Sequence, residues 1–167
     1  MPESVPLSLQ TIKRRAPEPL EEAVEKCVAD VFSLALRGYC DMSAVTVTRA
    51  DTGDDLILPA IVVRSARLRE SIPAGDVYEM QVAISVMTLM DRDDDISPTP
   101  PQEFMDNLWA AVVAIIEDPH LLDVLSASRS SVTWHGLTRQ GGMEFSRQER
   151  HAIRSYRFNV HVSRLAA

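Results

Sequence analysis

The alternation of apolar and polar positions divides the chain into helix, strands, helix, strands. Leu20, Val24, Cys27, Val28, Val31, Leu34 and Ala35 recur at helical spacing, with Glu21, Glu22, Glu25, Lys26 and Asp30 on the other side. This predicts a helix over 20–37, with glutamates at the positive end of its dipole and Gly38 as its stop. The period then changes to two. Val45 and Val47 alternate with Thr46 and Thr48 in a short edge strand over 44–49, and Asp51 to Asp55 reads as a turn. A longer strand over 56–69 follows, with Pro59 near its start, where a missing amide is tolerated. After a loop at Pro73 to Asp76, a strand over 77–90 puts Tyr78, Met80, Val82, Ile84, Val86 and Met90 on one face. Its other face begins polar (Glu79, Gln81) and turns apolar (Met87, Leu89), which calls for a second cover from a helix or another subunit.

The second helix carries a start signal, Thr99-Pro100-Pro101-Gln102, which combines a Thr cap, Pro in the first turn and Gln at the capping-box position. Its stripe is Phe104, Leu108, Val112 and Ile115, and Pro119 ends it. Leu121, Leu122, Val124 and Leu125 form a short helical segment. Val132 and Trp134 alternate in a strand, Gly141-Gly142 reads as a hairpin loop, and Tyr156, Phe158, Val160 and Val162 define the last strand. The expected fold class is α+β: a mostly antiparallel sheet packed by the N-terminal helix and the Pro-capped central helix, in one domain over 20–167. Residues 1–19 contain four prolines and the basic Lys13-Arg14-Arg15, and read as a flexible arm. Such an arm is either disordered or ordered against a neighbouring subunit.

Composition narrows the function classes. A chain of 167 residues can bury one substantial core. A net charge of -7 argues against nucleic-acid binding as the main activity, and no apolar run approaches the roughly 18 residues of a membrane span. Cys27 and Cys40 read as reduced small hydrophobes of a protein folded in a cytosol.

The acidic connector 91–101 (DRDDDISPTPP) invites a metal reading, because Asp91, Asp93 and Asp95 have the spacing of the first calcium-loop ligands. Ile96 stands where Gly must turn and Gln102 where a bidentate Glu is needed, so no metal site is expected. No pair among His120, His135, His151 and His161 has the i, i+4 spacing of a helical zinc site, and no G-x-S-x-G elbow occurs. No catalytic residue and no cofactor is assigned.

Charge layout is more suggestive. Residues 1–127 hold ten Lys/Arg against 22 Asp/Glu, whereas residues 128–167 hold seven Arg against two Glu. An acidic edge meeting a basic edge head to tail would close copies into a ring.

The order of elements resembles the tail-terminator (tail-completion) proteins of long-tailed bacteriophages. The resemblance runs from about residue 20 to 163. It lies in EEAVEKCVADVFSLAL, the strand pair LPAIVVRSARLRE and VYEMQVAISVM, the helix PPQEFMDNLWAAVVAII, and the closing DPHLLDVLSAS, VTWHG and RSYRFNVHV. No short motif in it is diagnostic. It implies a non-enzymatic virion protein forming a homo-oligomeric ring, usually a hexamer. The ring caps the tail tube, stops its growth and meets the head-tail connector, and DNA passes through its lumen without sequence recognition. It would be found in the virion tail or neck and, during assembly, in the host cytoplasm. The candidate subunit or partner contacts are Asp91, Asp93, Asp94 and Asp95 in the connector, Trp134, and Arg139, Arg147, Arg150 and Arg154 in the basic segment. Three rivals remain: a phage neck or head-completion protein, a small ligand-binding module with an enclosed pocket, and a hydrolase built on clustered Asp and His.

Overall fold

In the computed structural model, which describes residues 18–39, 42, 45–49, 59–72, 77–89, 101–128, 131–148 and 151–164, three helices and five strands alternate along the chain. They are α1 (Leu20–Leu36), β1 (Thr46–Arg49), β2 (Ala60–Ile72), β3 (Val77–Leu89), α2 (Pro101–Glu117), α3 (Leu121–Ala127), β4 (Val132–Gln148) and β5 (His151–Arg164). The fold is α+β. Its five strands form one mixed sheet in the order β1-β2-β3-β5-β4.

All neighbours are antiparallel except β1, which runs parallel to β2 from Thr46↔Ala60 to Arg49↔Val63. Strand pairing aligns the side chains that form the core. Ile61 and Val63 stand opposite Val86 and Ile84, while Met80, Val82 and Ile84 stand opposite Val160, Phe158 and Tyr156. These residues are buried against Leu20, Val24, Val28 and Phe32 of α1, Leu108, Val112 and Ile116 of α2, and Leu125 of α3. Cys27 belongs to this core, its thiol 2.7 Å from the Ser128 hydroxyl.

Charged clamps hold α1 to the sheet. Arg49 of β1 reaches Glu22 at 3.3 Å and Glu25 at 3.2 Å, and Arg67 of β2 reaches Glu21 at 2.9 Å while covering the Tyr78 ring at 4.3 Å. Glu25 is buried and also accepts the Ser65 backbone N–H at 3.1 Å.

Two sequence expectations change. The segment with Gly141-Gly142 is not a hairpin loop: β4 continues through it to Gln148, with a register shift between Arg139 and Met143. Glycine inside a strand marks such a bulge because it tolerates the backbone bend. The long strand expected from residue 56 begins at Ala60, so Pro59 precedes it, and the Pro59 carbonyl accepts the Thr46 N–H at 3.1 Å. Thr99 and Pro100 of the capping signal, the Gln102 side chain and the 51–55 turn lie outside the described residues, although α2 does begin at Pro101.

Candidate interaction surface

The three helices pack on one face of the sheet, and among the described residues no helix covers the other face, although Ala60, Val62 and Asn159 on it are buried. The second cover anticipated for β3 is not one of these helices. Met87 on that face is half-buried, with Ala60 buried opposite it, while the Leu89 side chain and Met90 lie outside the described residues.

The strand register places the open-face residues in rows. Glu79 of β3 stands opposite Arg69 of β2 and His161 of β5. Its carboxylate takes the Arg69 Nε–H at 2.6 Å on one oxygen and the Asn159 Nδ2–H at 3.0 Å on the other. The hydrogen bond from Arg69 leads the causes that hold this carboxyl below its usual range, with help from Asn159 and the nearby His161. Asn159 is buried, and its Oδ1 has no hydrogen-bond partner among the described residues. Further along, the Ser85 and Ser155 hydroxyls meet at 2.8 Å, and Arg157 pairs with Glu144 at 3.0 Å. His135 Nε2 and Ser163 Oγ are also 2.8 Å apart at an exposed site. That His–Ser contact has no orienting carboxylate among the described residues, so the geometry makes it a surface hydrogen bond. Among the described residues, no group of three or more His, Cys, Asp or Glu is placed to hold a metal ion.

The sequence-predicted contact residues separate in space. Trp134 faces the helices and is 8% exposed, so it fills core volume and is not presented to a partner. Its Nε1 finds no acceptor among the described residues. Trp109 is the more exposed indole, half-buried and tilted against Tyr156 at 6.5 Å. Arg139 is committed within the molecule: its Nε donates to the Ile116 carbonyl at 2.7 Å and its Nη2 to the Asp118 carbonyl at 2.8 Å, capping the C-terminal end of α2. Arg154 reaches across to Asp106 of α2 at 2.6 Å. Both act as ties between sheet and helix, which the sequence could not show because their partners are distant along the chain. Arg147 lies in β4 opposite Ala152, but its side chain is outside the described residues, as are Asp91, Asp93, Asp94, Asp95 and Arg150.

The histidines do not gather into one site. His120 sits at the start of α3 with Asp123 3.7 Å away, both well exposed, whereas His135 and His161 are on the open sheet face. The His151 side chain is outside the described residues. No helix among the described residues is long and apolar enough to cross a membrane. No protein-family model matches the chain, and no curated protein matches it either.

Proposed function

We propose that this chain is a structural assembly subunit, a tail terminator of the kind found in long-tailed bacteriophages. Copies of it form a ring that caps the tail tube, halts its growth and meets the head-tail connector. The observation that carries the reading is the build of the sheet. Helices occupy one face, and one edge is the 17-residue strand β4, which pairs with β5 alone among the described residues. A long edge strand is a template for another chain, and a head-to-tail contact at such an edge closes into a ring when the rotation between copies allows. The resemblance over residues 20–163 supports the same reading, as does a net charge of -7, since a DNA conduit should not hold its cargo tightly.

The deciding experiment is assembly on purified tail tubes, followed by light scattering and electron microscopy. A ring at one end of the tube and arrested tube growth are expected. A protein that neither binds tubes nor limits their length would overturn the proposal.

A further inference from the structure

The sheet has two edges, and they differ in length and in the charge around them. Strand β1, four residues long and half-buried throughout, pairs with β2 alone among the described strands, while β4 at the other edge has 17 residues. In the sequence β1 is flanked by Asp41, Asp51, Asp54 and Asp55, and its one cation, Arg49, is engaged by Glu22 and Glu25 of α1. Strand β4 and its flanks carry Arg129, Arg139, Arg147 and Arg150 against Glu144 and Glu149, and Glu144 is paired with Arg157 of β5. The short edge is acidic in its surroundings and the long edge basic.

Strand direction decides how such edges can meet. Strand β1 runs with β2, and β2, β3, β5 and β4 then alternate, so β1 and β4 run in opposite directions. Copies related by rotation about an axis close to the strand direction keep those directions. The β1 edge of one copy therefore meets the β4 edge of the next antiparallel. Had β1 been antiparallel to β2, the same joint would be parallel, which is the less stable pairing per residue. We propose that the chain assembles edge to edge, β1 of one copy pairing antiparallel with β4 of the next, so that the five-stranded sheets continue as one. The inference rests on the ring reading above and names the two surfaces that would form each joint.

The rows across the sheet give the level of the contact. Thr46 lies in one row with Ala60, Met87, Ile153 and Ser146, and Arg49 in one row with Val63, Ile84, Tyr156 and Met143. Without displacement along the strands, β1 thus lands on residues 143–146, beyond the β4 bulge. The remainder of β4, toward Val132, leaves room for the stagger that tilted strands require when a sheet closes on itself. The competing arrangement pairs two β4 edges about a two-fold axis. It sets basic edge against basic edge and stops at two copies.

Cysteine cross-linking in the full-length chain separates these arrangements. In a C40S background, T48C marks β1, and E144C or T138C marks β4; all three positions lie in rows of the open sheet face, and Glu144 is level with Thr48. A short bismaleimide spans the ~5 Å between paired strands but not the ~19 Å from β1 to β4 within one molecule. The reaction is run on concentrated protein and on protein bound to purified tail tubes, with thermal melts confirming that each variant folds. T48C/E144C or T48C/T138C should give a ladder of covalent oligomers extending beyond the dimer, and the single variants T48C, E144C and T138C should give none. Covalent dimers from E144C or T138C alone would overturn the inference in favour of the two-fold arrangement. Absence of a ladder from both double variants in both samples would also overturn it. Tube capping is scored separately: capping without the ladder removes this joint and leaves the functional reading, and a ladder without capping does the reverse.

Discussion

The Glu25 carboxylate accepts the Ser65 backbone N–H at 3.1 Å, two residues beyond the last rung of the β1–β2 ladder at Arg49↔Val63. A helix side chain thus takes over where the edge strand stops, and the same carboxylate anchors Arg49 of that strand at 3.2 Å. One buried acid closes both ends of a polar account that four-residue β1 cannot close by itself.

Glu25→Ala should therefore destabilise the fold by about 1–3 kcal/mol, because it strands the Ser65 backbone donor and leaves Arg49 without one of its two carboxylate contacts, that to Glu22 remaining. Glu25→Gln keeps an oxygen for Ser65 and should lose clearly less. Urea unfolding monitored by circular dichroism measures both, and an alanine variant as stable as wild type would rule the account out.

Arg139 ties the bulged part of β4 to the end of α2. Replacing it with Met should cost about 1–2 kcal/mol, since two charge-assisted bonds to terminal carbonyls and a favourable dipole contact are lost together. Arg139→Lys should recover only part of this, because an ammonium cannot span two carbonyls as a planar guanidinium does. Thermal denaturation reads the order wild type, Lys, Met, and a Lys variant equal to wild type would show that the fork geometry is unimportant.

Glu79 links stability to acid. Its carboxyl is held below the ordinary value of 4.5, first through the Arg69 hydrogen bond. A depressed folded-state value means that the stabilisation is fully present above the ordinary carboxylate range. It fades as pH falls through the folded value. Glu79→Gln should flatten this part of the acid limb of a stability-against-pH curve while leaving the neutral-to-alkaline part parallel to wild type. An unchanged acid limb would show that Arg69 and Glu79 are not coupled in solution.

Trp134 should tolerate loss of its indole nitrogen. Its Nε1 has no acceptor among the described residues, so Trp134→Phe gives up ring volume and no hydrogen bond among them, and should cost about 1–2 kcal/mol. Trp134→Ala empties a core position and should cost about 3–5 kcal/mol. Chemical denaturation distinguishes these, and a Phe variant as damaged as Ala would mean that the indole nitrogen is bonded after all.

The elements were legible where one face is buried and the other solvated. The stripe from Leu20 to Ala35 and the alternation from Tyr156 to Val162 each predict the observed element because burial imposes the period directly. Pairing partners were less legible: nothing local in TVTR distinguishes a parallel edge strand from an antiparallel one. The Gly141-Gly142 segment misled because glycine marks both turns and bulges, and the neighbouring strand decides between them. The arginines of the C-terminal segment suggested a contact surface from charge alone. Arg139 and Arg154 instead meet the end of α2 and Asp106, partners that only folding brings near.

The strand order β1-β2-β3-β5-β4 has a consequence for synthesis. The last strand of the described sequence fills an interior slot, so until it arrives β3 is an unpaired edge and β4 has no neighbour. As the chain leaves the ribosome, the sheet stays in two pieces until β5 joins them. Until then the open edges of β3 and β4 are free to pair with other chains, so the interval before β5 docks is when misassembly is most easily started.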